Sequence, residues 1–335
     1  MLIKENKSML IGMPSFCSIK TAVLVGLCLQ NAGYTLLRKW TTSNENVSSK
    51  EILFVSEVLK IVFSVYMILS EDIEGAKSDA PGTGIQKLTW LVTNSKKMLI
   101  LAAIYGAMNI LSFVALEYIG AGEFTICAQL KILSTAGFSV LILRTSLSPT
   151  KWRALTLLVF GCILVASPNF NNSGSENNAL TGQLFGYAAV LTEVVLSGFA
   201  SIYFEKVVKS TTEVITIWER NFQLGLYSLL MYGGIIMYES IFADDEAWDK
   251  RAAWSNWSVI TVLVAVLGAA GGLLVAATLK YADSILKTLA AAGAIVLSTV
   301  LGHYLLTGPL DVVISIGAIV TIIAIANYTL DATPV

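Results

Sequence analysis

Long apolar segments recur along almost the whole chain, and they constrain its fold more than any other feature. Ten segments can be marked, at about residues 20–38, 51–70, 98–118, 122–143, 152–167, 182–204, 214–238, 257–280, 284–305 and 311–330. Of all residues, 55% are hydrophobic and 13% are charged, against about 25% charged in a usual soluble domain. The sequence therefore predicts an all-α integral membrane protein with ten transmembrane helices.

Polar stretches divide the predicted helices into two groups of five. The division predicts an N-terminal tail (1–18), helices 1–5 (19–167), a connection (168–181), helices 6–10 (182–330) and a C-terminal tail (331–335). The longest connection within a group is 71–97. An even number of spans places both tails on one side, and lysines and arginines outside the spans are more numerous on that side. Because such loops face the cytosol, both termini are predicted to be cytosolic and the 168–181 connection lumenal.

The two groups share a short pattern. Residues 131–141 and 287–297 both begin with lysine and match at six of eleven positions. Gly161 and Gly317 are separated by the same number of residues as Lys131 and Lys287. Five helices per group would insert the second group upside down relative to the first. The sequence therefore predicts two inverted five-helix repeats, as in many secondary transporters.

Composition and motifs argue against several other functions. The net charge of −1 provides no basic field for nucleic acid. His303 is the only histidine, the four cysteines form no CxxC pair, and no Walker A or GxSxG motif is present. We therefore predict neither an enzyme nor a metal or cofactor protein, and any transport is expected to be secondary rather than ATP-driven.

Lys131 and Lys287 are the strongest functional candidates, because a charged side chain inside a bilayer costs roughly 2.5–3.5 kcal/mol on insertion scales. Lys131 falls near the middle of the fourth predicted span, and Lys287 one turn into the ninth. If the repeats are related by a two-fold axis in the membrane plane, the two ammonium groups approach one cavity. Two cations without nearby acids would bind a phosphate or pyrophosphate. The alternative is that each lysine reaches a membrane interface or makes a structural pair.

Other polar or aromatic residues in the apolar segments are weaker candidates. Those predicted to bind a ligand are Gln129, Asn109, Asn221, Phe124 and Gln223. Glu205, Lys206 and Asp283 are predicted to act at a gate or interface. Structural alternatives apply to several polar residues: Glu57 with Lys60 and Glu219 with Arg220 are candidate ion pairs, and Glu193 is either a proton site or an interhelical contact.

At these residues the chain resembles the nucleotide-sugar transporters of the Golgi. The resemblance covers residues 98–305 and rests on these blocks: 128–132 (AQLKI), 197–206 (SGFASIYFEK), 220–225 (RNFQLG), 271–274 (GGLL), 280–287 (KYADSILK) and 295–299 (IVLST). It implies the ten-helix fold of the drug/metabolite transporter superfamily, a Golgi location, and exchange of a cytosolic nucleotide sugar for a lumenal nucleoside monophosphate. It also implies that Lys131 and Lys287 bind phosphate and that Asn109, Asn221 and Ser197 contact the nucleotide.

Two departures bear on the substrate. In the CMP-sialic acid members we expect an aromatic residue near Gly225 and an asparagine pair where this chain has Asn109 and Ile110. The chain looks more like the UDP-sugar members, which favours UDP-galactose or UDP-N-acetylglucosamine exchanged for UMP. CMP-sialic acid exchange, export of small metabolites on the same fold, and a membrane-embedded transferase are the alternatives. The sequence leaves open whether the chain forms a homodimer.

Overall fold

A computed structural model of the chain describes residues 19–45, 47–74, 78–166, 180–210, 214–242, 254 and 256–331. Within these ranges the chain forms twelve α-helices and no strand. They are α1 (Ile19–Asn44), α2 (Ser49–Glu74), α3 (Ile85–Thr93), α4 (Lys96–Tyr118), α5 (Ala121–Gln129), α6 (Lys131–Leu143), α7 (Pro149–Val165), α8 (Leu180–Val208), α9 (Ile217–Phe242), α10 (Val259–Tyr281), α11 (Ser284–Leu306) and α12 (Val312–Leu330). The predicted N-terminal tail, most of the 168–181 connection and the end of the C-terminal tail lie outside the described residues.

Seven helical segments of the described chain are long and apolar enough to cross a membrane. They are Ser49–Glu71, Lys96–Tyr118, Glu123–Leu143, Gly182–Val208, Val259–Tyr281, Ser284–Leu306 and Val312–Leu330. The three other predicted spans correspond to α1, α7 and α9. Of these, α7 is only 17 residues long, and α9 opens with four polar residues, Glu219, Arg220, Asn221 and Gln223. The all-helical membrane class is thus confirmed at the level of seven spans.

The structure corrects two details of the predicted connections. The stretch 71–97 is not one long loop, because α2 continues to Glu74 and α3 lies within the stretch. The fourth predicted span consists of two helices, α5 and α6, that meet at Leu130. The Leu130 N–H donates to the Cys127 carbonyl over 3.0 Å, an i→i−3 bond that tightens the turn there. Lys131 is consequently the first residue of a helix.

Helix ends follow local sequence signals. Pro149 occupies the first turn of α7, where its missing N–H costs nothing, and Ser148 caps this helix by accepting from Lys151 N over 3.1 Å. Asp283 caps α11 and Asp311 caps α12, each accepting a backbone N–H three residues on at 2.8 Å. These caps fix where α11 begins, and therefore the depth of Lys287 one turn later.

The principal helix contacts are α7 with α12, α2 with α9, α4 and α6 with α8, and α1 with α10 and α11. A core of buried aliphatic side chains joins α6, α7, α11 and α12, and includes Ile132, Leu155, Leu158, Ile285 and Leu289. This core holds together the two helices that carry Lys131 and Lys287.

Glycine allows the α7–α12 contact to be very close. A Cβ at Gly317 would lie 2.6 Å from Leu164 Cβ and 2.9 Å from the Gly161 carbonyl oxygen. A Cβ at Gly161 would lie 2.9 Å from Thr321 N. The two glycines singled out by their spacing therefore meet at one interface, where only small residues let the backbones approach.

Candidate functional site

Lys131 and Lys287 line the same cavity, which we call the central cavity. Its volume is about 190 Å³, and its lining residues are Gln129, Lys131, Ile132, Thr135, Ser197, Ser201, Lys287, Thr288, Ala291, Ala292 and Ile295. They come from α5, α6, α8 and α11. The described part of this lining contains two ammonium groups, three further hydroxyl groups besides Ser197, and no carboxylate. Such a set of groups suits a multiply charged anion.

The neighbours of Lys287 fix its position. Its Nζ donates to Ser201 Oγ over 2.8 Å, and its backbone N–H donates to the Asp283 carbonyl over 3.0 Å. Ser201 is 7% exposed, so this contact is sheltered from water. Sequence reasoning missed Ser201, although its position one helical turn beyond Ser197 puts it on the same face of α8.

Lys131 reaches the central cavity from the other side. Its side chain is exposed although it starts α6 halfway along the α5–α6 pair, because it faces this cavity. Close contact between α6 and α8 positions it, since a Cβ at Gly198 would lie 2.2 Å from Ser134 Oγ and 2.8 Å from the Ser134 carbonyl carbon. Gly198 thus lets Ser197 and Ser201 stand directly opposite the start of α6.

A larger cavity, which we call the vestibule, adjoins the central cavity. It has a volume of about 530 Å³ and shares Gln129, Ala291 and Ile295 with the central cavity. Its other lining residues are Asn31, Thr35, Leu36, Lys39, Thr125, Cys162, Val165, Ala166, Ala294, Ser298, Thr299, Gly302, Gly308, Pro309 and Ile314. It therefore runs from the middle of the helices to the side of the bundle on which α1, α7 and α11 end. We call this the far side.

A third cavity, the side chamber, contains Asn109. Its volume is about 230 Å³, and it is lined by Glu57, Lys60, Tyr105, Met108, Asn109, Glu193, Leu224, Ser228, Met231 and Tyr232. Lys60 Nζ lies 2.5 Å from Glu57 Oε2, which confirms the predicted pair. Glu193 Oε2 accepts from Ser112 Oγ over 2.8 Å, so Glu193 makes the interhelical contact that was one of its two interpretations.

One face of α8 carries lining residues of both the side chamber and the central cavity. Glu193 lines the side chamber, while Ser197 and Ser201 line the central cavity. These residues are four apart, so they lie above one another along the helix at about 6 Å per step. The lining of the side chamber is therefore followed by the lining of the central cavity along this face of α8.

Asn221, Gln223 and Phe124 do not line any of these three cavities. Asn221 Nδ2 donates to the Ile217 carbonyl over 3.0 Å, and Gln223 Nε2 donates to the Leu91 carbonyl of α3 over 2.8 Å. Both side chains are at most 1% exposed. Phe124 packs against an apolar cluster that includes Ala115 and Ile119. Here the three side chains serve helix packing, and the predicted substrate contacts at these positions stay predictions.

The polar start of α9 instead docks the short helix α3. Lys87 Nζ lies 2.8 Å from Glu219 Oε1, and both side chains are nearly inaccessible. Ser78 Oγ also donates to the Glu219 carboxylate, at 2.8 and 2.9 Å. Glu219 is thus neutralised by Lys87, which lies in the stretch 71–97 that the sequence predicts to be a connection.

A polar network closes the opposite side of the bundle, where α11 begins, which we call the near side. Lys209 Nζ lies 2.7 Å from Glu205 Oε1, and Ser284 N donates to Glu205 Oε2 over 2.8 Å. Lys209 Nζ also donates to the Ala282 carbonyl over 2.5 Å. The network joins the end of α8 to the α10–α11 junction, and we call it the seal. The central cavity shares lining residues with the vestibule, which runs to the far side.

The two other predicted gate residues have different surroundings. Lys206 is exposed, so Glu205 pairs with Lys209 rather than with its neighbour in the sequence. Asp283 caps α11 through the Leu286 N–H. Burial raises the pKa of the Asp283 carboxyl above its usual value, although the hydrogen bond from Leu286 opposes this shift. Asp283 therefore lies beside the seal and sets the start of α11.

Comparison with known proteins gives one consistent result. The family model described as "Nucleotide-sugar transporter" matches residues 16–329. A UDP-N-acetylglucosamine transporter of Homo sapiens is 37% identical over 240 residues, which cover 71% of this chain and 72% of the human protein. A UDP-galactose/UDP-N-acetylglucosamine transporter of Caenorhabditis elegans is 32% identical over 93% of this chain and 83% of its own length. A UDP-galactose transporter of Schizosaccharomyces pombe is 33% identical over 70% of this chain and 65% of its own length.

A solved crystal structure is also similar in fold. It superposes with a TM-score of 0.64 over 94% of this chain and 99% of the other chain, at 16% sequence identity. At that identity the likeness concerns the fold alone.

Proposed function

The chain belongs to the nucleotide-sugar transporter family, and we propose that it is an antiporter that exchanges a cytosolic UDP-sugar for lumenal UMP. UDP-galactose and UDP-N-acetylglucosamine are the substrates of the similar proteins by name. The observation that carries the proposal is the central cavity, where Lys131 and Lys287 meet without a carboxylate in the lining. A diphosphate placed between two ammonium groups would be neutralised from both sides.

The cavities suggest how the substrate lies. The phosphates would occupy the central cavity between Lys131 and Lys287, with Gln129, Ser197 and Ser201 as neutral hydrogen-bonding partners. The nucleoside would extend along α8 into the side chamber beside Asn109. The side chamber holds two carboxylates, Glu57 and Glu193, against one lysine, so it repels phosphate and leaves the neutral base and ribose as its occupants.

The surroundings of Gly225 favour a uridine sugar over a cytidine sugar as the substrate, because the cytidine-sugar members of the family are expected to have an aromatic residue near this position. A Cβ at Gly225 would lie 2.9 Å from Ile61 Cγ1 and 3.3 Å from Lys60 Cε. The aromatic residue expected near this position in CMP-sialic acid members therefore has no room here unless α2 moves. In this chain, Lys60 and Ile61 occupy the space that an aromatic ring would need.

We propose ten transmembrane spans in two inverted repeats, in which α1, α2, α4, α5–α6 and α7 correspond to α8, α9, α10, α11 and α12. The packing pattern supports this assignment. Exchanging each helix with its counterpart maps the α1–α11 contact onto α8–α6 and the α1–α10 contact onto α8–α4, and all four contacts are present. The α2–α9 and α7–α12 contacts map onto themselves, as they should on a two-fold axis.

Alternating access would then operate by rocking one repeat against the other. With both termini cytosolic in a Golgi membrane, the near side faces the cytosol and the far side faces the lumen. The arrangement described above, with an open vestibule and a sealed near side, would be the lumen-facing state. Glu205 and Lys209, with Asp283 at the start of α11, would form the cytosolic gate, and exposed Lys206 would lie at its rim.

Glu205→Gln and Lys209→Gln are each expected to weaken the cytosolic gate. Either change removes an ion pair of 2.7 Å in which Glu205 is buried, and so shifts the population toward the cytosol-open state. The measurement is the half-saturating concentration of cytosolic UDP-sugar in sealed vesicles, which should fall, while the maximal exchange rate also falls. The double variant should add little to either single one, because both remove the same contact. Fully additive effects would show that the two residues act separately.

Stabilisation by nucleotides tests the proposed substrate directly. UMP should raise the melting temperature of the purified protein more than CMP, since a ligand at about 100 times its Kd adds about 2.7 kcal/mol of stability. The variant Lys131→Gln is the control, and its stabilisation by UMP should be lost. If neither nucleotide stabilises the protein, the nucleotide site is refuted. Stabilisation by CMP alone would instead favour CMP-sialic acid exchange.

A further inference from the structure

The vestibule contains a cation that the proposed antiport mechanism does not use, the Lys39 side chain. We propose that Lys39 forms a second anion site at the outer end of the vestibule, which captures the phosphate of a nucleoside monophosphate on its way to Lys131 and Lys287. This inference rests on the proposed function, because it assumes that the incoming lumenal ligand is such a nucleotide. It adds an entry site that the central cavity does not contain.

The position of Lys39 suits an entry site. Asn31, Thr35 and Lys39 are spaced by four residues on α1 and all line the vestibule. Lys39 is about 12 Å further along the helix axis than Asn31, at a rise of 1.5 Å per residue. At the inner end, Gln129 lines both the vestibule and the central cavity. Asn31 and Gln129 thus place amide groups between Lys39 and the paired lysines.

The charges that line the cavities favour movement of an anion from the vestibule toward the central cavity. In the part of the chain that the structure describes, no carboxylate lines the vestibule or the central cavity, whereas each contains lysine. Among the described residues, Glu57 and Glu193 line only the side chamber. A phosphate dianion is thus attracted first to one cation and then to two, and is repelled by the chamber that would receive the nucleoside. Cavities lined by one sign of charge focus the field and raise the local concentration of the oppositely charged ligand.

Lys39 is also the strongest hydrogen-bond donor for an anion among the described residues of the vestibule wall. Thr35 Oγ1 donates to the Asn31 carbonyl over 2.8 Å, and Thr299 Oγ1 donates to the Ile295 carbonyl over 2.8 Å. Ser298 Oγ likewise donates to Ile295 O over 3.0 Å. These hydroxyl protons are already engaged, so the hydroxyls present lone pairs to the cavity. Lone pairs do not attract phosphate, and the ammonium group of Lys39 does.

A lysine near the end of a spanning helix can instead anchor the helix at the lipid headgroups. The two roles differ in sidedness. An anchor affects the stability or both transport directions, whereas an entry site in the vestibule acts only on a ligand that arrives from the far side. Sidedness is therefore the property to measure.

The experiment uses sealed vesicles carrying the full chain, preloaded with a series of UMP concentrations, and measures uptake of labelled UDP-N-acetylglucosamine from outside. For Lys39→Gln, the half-saturating internal UMP concentration should rise about fivefold, the effect of one solvated ion pair. The half-saturating external UDP-sugar concentration should stay at its wild-type value. Lys39→Arg should retain wild-type behaviour, and the difference between wild type and Lys39→Gln should shrink as internal salt is raised.

Lys280→Gln is the matched control, because it removes an exposed lysine that lines none of the three cavities and should leave internal UMP dependence unchanged. Equal half-saturating UMP for wild type and Lys39→Gln overturns the entry site, and so does a parallel rise for the external UDP-sugar. Should Lys39→Gln fail to fold, a half-saturating internal UMP that does not rise with salt in the wild type and in Lys39→Arg also overturns it. If wild-type uptake does not depend on internal UMP at all, the proposed antiport itself fails, which is a distinguishable result.

Discussion

Lys131→Ala and Lys287→Ala are each expected to abolish exchange in proteoliposomes while leaving the amount of folded protein near that of the wild type. Each change leaves one of two charges to hold a diphosphate in a cavity that offers no other cation. Removing one cation from a charge pair that the bound nucleotide shields from water costs about 2–5 kcal/mol, or a factor of about 30 or more in binding. The measurement is uptake of labelled UDP-N-acetylglucosamine into vesicles loaded with UMP.

Lys280→Ala is the control for this loss. Lys280 is exposed, lies 5.8 Å from the Tyr281 ring centroid and does not line the central cavity. Its removal should leave the uptake rate close to that of the wild type. Arginine at position 287 should restore less than half of the activity, because a planar guanidinium cannot keep the geometry of the contact to Ser201. Near-normal uptake by either alanine variant would show that its lysine does not bind phosphate.

Gly317→Ala is expected to destabilise the protein strongly for a single methyl group. The added Cβ would meet Leu164 Cβ at 2.6 Å and backbone atoms of Val165 and Gly161 at 2.8 and 2.9 Å. Backbone cannot move aside as a side chain can, so α7 and α12 must separate. Overpacking of this kind costs about 1–3 kcal/mol, and we expect a melting temperature several degrees lower. Thermal unfolding of the purified protein followed by tryptophan fluorescence measures this.

Gly137→Ala provides the matched control. Gly137 lies inside α6, and a Cβ there would meet nothing within 4 Å. Alanine is the better helix former by about 1 kcal/mol, so this variant should be as stable as the wild type or slightly more so. A melting temperature for Gly317→Ala equal to that for Gly137→Ala would mean that the α7–α12 contact is looser than described.

The central cavity could be predicted from the sequence because each of its charged residues interrupts an apolar segment. Lys131 and Lys287 are predicted by their cost in a bilayer, Gln129 by its place beside Lys131, and Ser197 by the family resemblance. Ser201 was missed, since a serine in a helix usually bonds to its own backbone and gives no sign of facing a cation. Ser201 belongs to the site because it accepts a hydrogen bond from Lys287, a tertiary contact between α8 and α11.

Asn221 and Gln223 show what the sequence could not predict. In the sequence they are amides inside a span, a pattern that suits either a substrate or a helix contact. Asn221 bonds within α9, to the Ile217 carbonyl, whereas Gln223 contacts α3, a short helix that lies within the predicted connection 71–97. Gln223 bonds to the Leu91 carbonyl of that helix, and Glu219 to Lys87. Contacts between residues more than a hundred positions apart leave no local pattern to recognise.

The absence of a carboxylate from the lining of the central cavity has a consequence for the empty protein. Under the proposed alternating access, the empty protein would have to enclose the Lys131 and Lys287 ammonium groups with no carboxylate among the described lining residues, and burying such ions costs several kcal/mol even after relaxation. A bound nucleotide carries its own neutralising charge into the occluded state. We therefore expect the unloaded protein to stall, so that transport leaks very little and each nucleotide sugar entering the lumen is matched by a nucleotide that leaves.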